Sequence, residues 1–587
     1  MKLNTHFFVF LTITLIVIIS DMLIYTIKIN YILSIFIGFA LVAFLMMILV
    51  KSKKIIINYD FEKADLLFLV LICIKIILCI NRPDMQYDVS MYHIYNQEYP
   101  FIDKVNFDYF PGRTINTFLY PLGDRIFYLS RFLLGYRLGT ILSYYSMIVI
   151  FYQLKRLVYS LLNIKKDKRV PILSSLIIFI YTMHTLIGSY YIDIFSVVFV
   201  LEIIELVFGA KDGKIFENKC RLYFICLLIG ISVGIKVPNL IIVACVAIYV
   251  LIKDWRGIVN FKIKDYFICI ILFLLPFFVY TLDNFVQTGS PIFPYYNDIF
   301  KSKWFDTINW KDSRFGIPNL LYAFIWALMP AINPIKTCDL PSYDYIWGIG
   351  YIIVVGYLVL HFLKRKNKNK EFEFTALTFA LTLVWAKFLS GYLRYAFVIA
   401  ILYIAVIEIV FIKLVDSKNE KLDKFFIYCV SALLIIVIVS PTCYYISIEA
   451  RIFKYSWSNV QLFKDIRTEK IHIDGAWMTL ADDSKLVTMV REEGTPIYYL
   501  ESRFLNSSLA KERQMDLKQK ELYTIIDDYN KAKKIDELTL ENMQIEEVIE
   551  KDRELNFLPK DDKVMVCKIK YNANNDEVRM NNLKYYN

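Results

Sequence analysis

Paired cysteines are absent from this 587-residue sequence, because none of its ten cysteines forms a C-x-x-C pair. Several of them stand singly inside apolar runs, where small apolar packing residues are the simplest interpretation. The spacing therefore excludes a structural zinc site and a disulfide framework. Internal repeats of about 20–50 residues and low-complexity tracts are absent as well, which excludes a repeat architecture.

A continuous basic patch is also missing, although the formal net charge is +11. The lysines and arginines fall in short loops between apolar runs, which is typical of the cytoplasmic side of a membrane protein. No nucleic-acid partner is therefore expected. A cleavage site of small residues does not follow the first apolar run, which starts at Phe7 and is interrupted by Asp21. We predict that this run is retained as a first span.

Apolar residues, in contrast, are abundant: 57% of the chain is hydrophobic, and the mean hydropathy is +0.46. Several runs approach or exceed about 18 residues with almost no charge, which indicates a polytopic α-helical membrane protein. About thirteen transmembrane helices are predicted, near the ~20 residues that cross a bilayer. They are 7–27, 31–50, 66–81, 138–154, 170–189, 194–210, 222–236, 238–252, 266–283, 344–363, 372–390, 395–413 and 425–447. The short pair 222–252 is alternatively a broken or re-entrant hairpin.

Basic loops indicate the orientation, because six of them fall on one side when thirteen spans are threaded. The positive-inside rule assigns that side to the cytoplasm. The N-terminus is then cytoplasmic and the C-terminus external, and the composition suggests a bacterial plasma membrane. The basic loops are 51–54, 165–169, 211–221, 253–264, 364–370 and 413–424.

The domain prediction follows from this topology. Residues 1–447 are expected to form a transmembrane domain with external loops 82–137 and 284–343, and residues 448–587 a small external α/β domain. Residues 125–139 have helical apolar spacing and are predicted to lie along the membrane interface. In the tail, 495–502 and 562–571 alternate like strands, and the residues 507–534 between them are predicted to form a solvated helix.

Acidic residues interrupt the apolar pattern directly after the third span, in NRPDMQYDVSMYHIYNQEYP, residues 81–100. Asp88, Tyr92 and His93 stand at i, i+4 and i+5, so they share one side if 86–98 is helical. Three interpretations of Asp88 are open: a solvated loop residue, a helix cap or a functional carboxylate. Its position on the predicted external face makes it the acid of most interest.

Six segments, in chain order, together resemble the polytopic glycosyltransferases of the GT-C superfamily. Protein O-mannosyltransferases and lipid A aminoarabinose transferases are of this kind, and they use polyprenyl-phosphate-linked sugars. The resemblance covers about residues 60 to 415, with Asp124 where the family usually has glutamate and Ser290 where it has asparagine. The segments are YDVSMYHIYNQEYPF (87–101), FLYPLGDRIFYLSRFLLG (118–135), GSYYIDIFSVVFV (188–200), GISVGIKVPNLI (230–241), NFVQTGSPIFPYYNDIF (284–300) and GYLRYAFVIAILYI (391–404).

This resemblance implies a GT-C-like fold and an inverting membrane glycosyltransferase. It would move a sugar from a polyprenyl-phosphate-linked donor to a cell-envelope acceptor (glycan, lipid or protein) at the outer face of the bilayer. Asp88 is then the general base that takes the acceptor proton. His93 would hydrogen-bond the substrate or orient Asp88, and Tyr92 would contact substrate or pack.

The remaining candidates are charged residues at predicted span ends. Lys236 and Arg394 are predicted to bind the donor phosphate, with Lys387 as a third candidate. Lys236 alternatively snorkels to the interface. Asp193 is either a helix N-cap or a catalytic or metal-binding carboxylate. No cofactor and no metal are expected, although some relatives of this type hold a divalent cation.

Three other functions remain open at this point. The first is a polymerase or ligase that joins lipid-linked glycans. The second is a flippase or transporter of lipid-linked glycans, although such proteins usually carry inverted repeats and charges near the membrane midplane. The third is an assembly scaffold that has lost activity, which the changes at Asp124 and Ser290 would permit.

Overall fold

A computed structural model describes most of the chain, and its described part is mostly helical. The described residues are 2–84, 86–98, 115–210, 219–302, 315, 320–338, 343–363, 369–388, 391–416, 469–479, 484–492, 495, 497–499, 521–527, 543–556, 558 and 563–571. By their internal contacts the residues form two compact units. The first unit comprises 1–80, 140–279 and 311–456, and the second unit comprises 81–139, 280–310 and 457–587.

Thirteen helices of ten or more residues lie in the described part of the chain. We number them α1–α13 in chain order. They are Thr5–Ile27, Tyr31–Lys51, Asp65–Cys79, Leu122–Leu134, Ile141–Leu162, Asp193–Phe208, Lys219–Ile235, Asn239–Lys253, Ile263–Leu274, Phe278–Thr288, Tyr345–Leu363, Lys370–Phe388 and Phe397–Val415.

Four helical stretches among the described residues are long and apolar enough to cross a membrane. They are α1, α2, α11 and Leu393–Val415, the last consisting of a 3₁₀ turn and α13. The bent pair α9 and α10 passes the same test if it is taken as one span. These helices support a multi-pass membrane protein. The count of thirteen spans stays a prediction, and the predicted span 425–447 lies outside the described residues.

Local sequence explains how the first two helices start and pair. The side chains of Asn4 and Asn30 accept hydrogen bonds from the amides of His6 and Leu33, each at 2.8 Å, and so cap α1 and α2. The two helices approach closely at Gly38, where a Cβ atom would lie 2.9 Å from the Ile16 carbonyl oxygen. Glycine at this point therefore lets the two backbones touch.

One predicted span, 170–189, is wrong as a continuous helix. The structure shows an α-helical turn at Arg169–Ser174, a 3₁₀ turn at Ser175–Phe179 and a further short helix at Tyr181–His184. Two side chains bind backbone carbonyls inside this stretch. The Ser175 hydroxyl donates to the Pro171 carbonyl at 2.9 Å, and the His184 Nδ1 atom lies 3.0 Å from the Ile178 carbonyl. Such local bonds compete with a regular helical ladder.

A second predicted span, 266–283, is bent instead of straight. α9 ends at Leu274 and α10 starts at Phe278, and the two axes differ by 67°. Pro276 lies in the break. Proline removes a backbone donor and clashes with the preceding turn, which accounts for the bend.

The second unit contains α4, which covers most of the predicted interface helix 125–139, and a five-stranded sheet from the tail. The strands are Ala476–Thr479 (β3), Ile497–Tyr499 (β4), Leu522–Asp527 (β5), Met543–Glu554 (β6) and Lys563–Tyr571 (β7), after the short pair Lys2–Asn4 (β1) and Ile56–Asn58 (β2) in the first unit. The strand order in the five-stranded sheet is β4-β3-β5-β7-β6. β3 pairs in parallel with β4 and β5, whereas β7 is antiparallel to β5 and β6.

The tail also contains one short helix, α14 (Ser484–Val490). We call strands β3–β7 the tail sheet, and α14 contacts three of these strands. The strands expected at 495–502 and 562–571 are found as β4 and β7. The helix predicted for 507–534 is wrong at 522–527, because the apolar and β-branched residues of this stretch form the central strand β5 and are buried. The rest of that prediction, and the domain boundary at 447, lie outside the described residues.

Candidate functional site

A tight turn before α6 fixes the position of Asp193 in the first unit. Gly188 has a φ of +86°, and a Cβ atom there would lie 2.2 Å from the Tyr144 hydroxyl oxygen, so only glycine fits. α6 then starts at Asp193, after Ile192 in the N-cap position. The alternative that Asp193 is the N-cap is therefore wrong. Its carboxylate lies in the first helical turn, where the helix dipole favours an acid.

Lys236 lies in the break between two helices. α7 ends at Ile235 and α8 starts at Asn239, with Pro238 in the N-cap position. The Asn239 side-chain amide donates to the Ser232 carbonyl at 3.0 Å, which ties the start of α8 to the end of α7. The predicted pair 222–252 is thus found as two helices, which is compatible with two spans and with a broken hairpin, and Lys236 lies at their junction.

Arg394 follows a tight turn that requires glycine. Gly391 has a φ of +67°, and a Cβ atom there would lie 2.3 Å from the Phe315 carbonyl oxygen. The Gly391 carbonyl accepts from the Trp326 indole at 3.1 Å, and the Leu393 amide donates to the Thr337 carbonyl at 2.8 Å. These contacts hold a 3₁₀ turn, Leu393–Ala396, that presents Arg394 ahead of α13.

Asp193, Lys236 and Arg394 meet in the first unit, and we call these three residues the cation cluster. The Lys236 Nζ atom donates to the Asp193 carboxylate, and the Arg394 Nε atom lies 3.8 Å from the same Oδ1 atom. The side chain of Asp193 is 3% exposed, and those of Lys236 and Arg394 are 12% and 13% exposed. The structure therefore brings together three residues that the sequence predicts separately.

Three tyrosines line the cation cluster. The Lys236 Nζ atom lies 3.7 Å from the centroid of the Tyr395 ring. The Arg394 guanidinium carbon lies 4.7 Å from the Tyr191 centroid and 5.2 Å from those of Tyr392 and Tyr395. Ring faces attract cations, so these tyrosines hold both charged groups in place. The sequence prediction missed their role, although all three stand within three residues of Asp193 or Arg394.

The charges of the cation cluster define what it can do. Two cations and one carboxylate, all ionised, leave a formal charge of +1, because +2 − 1 = +1. An anion can therefore be bound by these two cations, and a guanidinium offers a forked donor geometry that suits phosphate oxygens. In the described ranges, no group of three or more histidine, cysteine, aspartate or glutamate side chains is placed to hold a metal ion.

Lys387 is not part of the cation cluster. It lies exposed in the last turn of α12, and the described residues show no contact between its side chain and Asp193, Lys236 or Arg394. Its predicted role as a third phosphate ligand thus has no structural counterpart in the described part of the chain. An exposed lysine near the end of an apolar helix is typical of an interface residue.

Asp88 lies in the second unit, at the start of a helix with a π turn. The π-helical turn Val89–His93 continues into the α-helical turn Ile94–Glu98, and we call both together the 89–98 helix. Asp88 occupies the N-cap position and is half-buried, but its side chain makes no capping hydrogen bond. π turns are frequent at functional sites, and they place residues i and i+5 one turn apart. Asp88 and His93 have this separation.

His93 pairs with an acid from α4. Its Nδ1 atom lies 2.7 Å from an Asp124 carboxylate oxygen, and the Asn96 side-chain amide donates to the other oxygen at 3.4 Å. All three side chains are buried. Burial raises the pKa of Asp124 above its ordinary value, and the neighbouring imidazole opposes part of this shift. Asp124, which replaces the expected glutamate, thus keeps a carboxylate against His93.

Tyr92, the remaining first-loop candidate, contacts His93. Tyr92 is buried, and its ring centroid lies 4.2 Å from that of His93. The fifth resembling segment contacts the second one: the Asn284 amide donates to the Phe118 carbonyl at 2.9 Å, and the Tyr120 hydroxyl to the Pro291 carbonyl at 3.2 Å. Segments far apart in the sequence are therefore neighbours within the second unit.

Comparisons with known proteins give matches at the level of structure. No protein-family model matches the chain, and no curated protein matches it. One similar solved structure is that of ArnT from Cupriavidus metallidurans bound to undecaprenyl phosphate, with 11% identity, a TM-score of 0.49, and coverage of 86% of this chain and 97% of that one. The apo state of the same protein has 11% identity, a TM-score of 0.46 and the same coverage.

Proposed function

We propose that the protein is an inverting membrane glycosyltransferase that moves a sugar from a polyprenyl-phosphate donor to a cell-envelope acceptor. The observation that carries the proposal is the meeting of Lys236 and Arg394 on Asp193. These residues come from three of the six segments that resemble GT-C transferases. Each of these three segments resembles GT-C transferases by itself, and their charged side chains meet at one position. A common substrate site requires such a meeting.

The cation cluster would bind the donor phosphate. A polyprenyl-phosphate sugar carries one negative charge on its phosphodiester, and the departing polyprenyl phosphate gains a second one. Lys236 and Arg394 therefore stabilise the leaving group more than the bound donor, which is how such cations accelerate a reaction. Asp193 would attract both cations and hold them in place before the donor arrives.

Asp88 would act as the general base. The acceptor hydroxyl oxygen forms a bond to the anomeric carbon, the bond from that carbon to the phosphate oxygen breaks, and its electron pair stays on the phosphate. The hydroxyl proton passes to the Asp88 carboxylate. One displacement inverts the anomeric centre. Asp88 suits this role because its carboxylate is half-buried at the start of the 89–98 helix and so remains partly accessible.

The proposed setting is the outer face of a bacterial plasma membrane, with the N-terminus cytoplasmic and the tail sheet external. The acceptor would be a glycan, a lipid or a protein of the envelope. The donor and the acceptor are the proposed partners, together with the bilayer, and the chemistry above needs no cofactor.

A reconstituted transfer assay tests the proposal. The full-length protein in liposomes would receive radiolabelled polyprenyl-phosphoryl sugars and envelope fractions that contain glycan, lipid or protein acceptors. Label should pass from the lipid donor to one acceptor fraction only when the protein is present. Transfer to a second lipid-linked glycan would identify a polymerase or ligase. Movement of intact donor across the bilayer without transfer would overturn the proposal and identify a flippase.

A further inference from the structure

The tail sheet reaches the 89–98 helix through one short helix. α14 contacts strands β3, β4 and β5, and it also contacts both turns of the 89–98 helix. Its residues 486–490 are all buried, as are Val89 and Ile94 on the other helix. α14 is therefore a shared layer between the tail sheet and the helix that follows Asp88.

Arg137 forms a second connection within the same unit. Its guanidinium donates to the Asn81 carbonyl at 3.0 Å, to the Leu558 carbonyl at 3.0 Å and to the Asn556 carbonyl at 3.5 Å. Asn81 precedes the Asp88 segment, whereas Asn556 and Leu558 lie between strands β6 and β7. Arg137 is 2% exposed. One buried side chain thus ties the start of the first loop to the tail.

Neighbouring contacts fix the same segment at two further points. The Tyr136 hydroxyl donates to the Asp84 carbonyl, four residues before Asp88. At the far end, Glu98 binds Arg131 at 2.7 Å and lies 3.9 Å from the Lys470 amino group, which also donates to the Met489 carbonyl of α14 at 2.8 Å. Residues 81–98 are therefore held on both sides of Asp88.

We propose that the tail sheet sets the position of Asp88, with Arg137 as the positioning residue that connects them. The three Arg137 bonds given above end on backbone carbonyl oxygens, so they fix the relative positions of two chain segments. The inference rests on the proposed function, in which Asp88 takes the acceptor proton. If Arg137 is removed, Asp88 moves away from the acceptor, while the cation cluster in the first unit is unaffected.

The test compares three variants of the full-length protein in liposomes: Arg137→Ala, Arg137→Lys and the matched control Arg553→Ala. Arg553 belongs to the same tail but binds Glu550 and Glu469 near the surface. We expect Arg137→Ala to lower kcat at least tenfold with the donor KM within twofold of wild type. Arg137→Lys should recover part of this loss, because an ammonium keeps some of the donors. Arg553→Ala should match wild type.

A double variant gives the decisive readout. If Arg137 acts through Asp88, Arg137→Ala combined with Asp88→Asn should be no slower than Asp88→Asn alone. A further tenfold loss in the double variant would overturn the inference. Equal losses of kcat in Arg137→Ala and Arg137→Lys, together with a lower unfolding temperature in both variants, would also overturn the inference.

Hydrogen exchange separates this inference from the proposed function. Arg137→Ala should raise amide exchange in residues 84–98 and leave α6, α7 and α13 unchanged, whether or not transfer is observed. If no sugar transfer exists at all, the proposed function fails while this structural result still stands. Unchanged exchange in residues 84–98 would overturn the positioning role by itself.

Discussion

The carboxylates of the cation cluster and of the Asp88 region differ in burial and in ion pairing. Asp193 is almost fully buried and bound to Lys236, with Arg394 next to it and tyrosine rings around both cations. Asp88 is half-buried and begins a helix without capping it. A carboxylate that pairs with two cations suits a positioning role, whereas a more accessible carboxylate suits a proton acceptor. We therefore expect the two acids to have different tasks in the proposed transfer.

The two regions also differ in how far apart their residues are in the sequence. The cation cluster joins residues 193, 236 and 394, each placed by its own turn or helix break. The Asp88 region is a short local helix, and its tertiary partners include Asp124, Arg131 and α14. The proposed phosphate site thus depends on the packing of distant helices, while the proposed base depends on the placement of one short helix.

Removal of the Asp88 carboxylate gives the largest expected effect. Asp88→Asn should lower kcat by about 100-fold or more, the range expected for loss of a general base, and leave the donor KM within twofold. Steady-state transfer kinetics in liposomes measure both values. Asp474→Asn, which changes an exposed acid of the tail, is the control. Full activity of Asp88→Asn at normal expression would refute the base assignment.

Arg394 should matter next, and mainly for the donor. Arg394→Ala is expected to raise the donor KM by roughly tenfold or more, since loss of one charge-assisted contact costs about 1.5–3 kcal/mol. Arg394→Lys should lose less affinity because the charge remains. Arg169→Ala, which breaks ion pairs with Asp167 and Asp416, is the matched control. An unchanged donor KM in Arg394→Ala would remove the phosphate role.

Asp193→Asn distinguishes a positioning acid from a catalytic one. We expect a several-fold higher donor KM and a kcat within about threefold of wild type, because the amide no longer anchors two cations. Donor titration followed by kinetics measures each parameter. A loss of about 100-fold in kcat at unchanged KM would instead make Asp193 the base and reverse the comparison between the two acids.

Lys236 and Lys387 form a matched pair of lysines, because both are candidate phosphate ligands in the sequence, with Lys387 as the third candidate. Lys236→Ala should raise the donor KM several-fold, since its amino group contacts Asp193 and the Tyr395 ring. Lys387→Ala should match wild type within twofold, because this lysine is exposed at the end of α12. Parallel donor titrations compare them. Equal effects of the two substitutions on the donor KM would show that Lys387 contributes to donor binding as Lys236 does.

The smallest effect concerns the stability of the Asp88 region. Burial raises the pKa of Asp124 in the folded protein, so the folded state binds more protons than the unfolded chain between about pH 4 and that raised pKa. This carboxyl therefore stabilises the fold at low pH, and that contribution is lost as the pH rises through the raised pKa. Thermal unfolding of wild type between pH 4 and 7 should lose more stability than that of Asp124→Asn. A larger loss in the variant would contradict this sign.

Sequence patterns alone were sufficient for features that depend on near neighbours. Apolar runs located nine of the predicted spans within three residues of single helices, because a helix that crosses a bilayer needs a long apolar stretch. The prediction of a continuous helix was wrong at 170–189, where side chains bind the backbone locally. The prediction of a helix was wrong at 522–527, where an apolar segment between charged residues forms the central strand of the tail sheet. Such outcomes depend on partners that no local pattern contains.

The candidate site shows the same division. The sequence determined which residues are candidates: the acid after the third span, the lysine in a short hairpin and the arginine that opens a late helix. Only the tertiary structure decided that Asp193 pairs with Lys236, that Asp124 holds His93 and that Lys387 is not part of the cation cluster. The physical reason is that pairing of buried charges depends on distances of a few ångströms, and these are set by helix packing and turns between segments up to about two hundred residues apart.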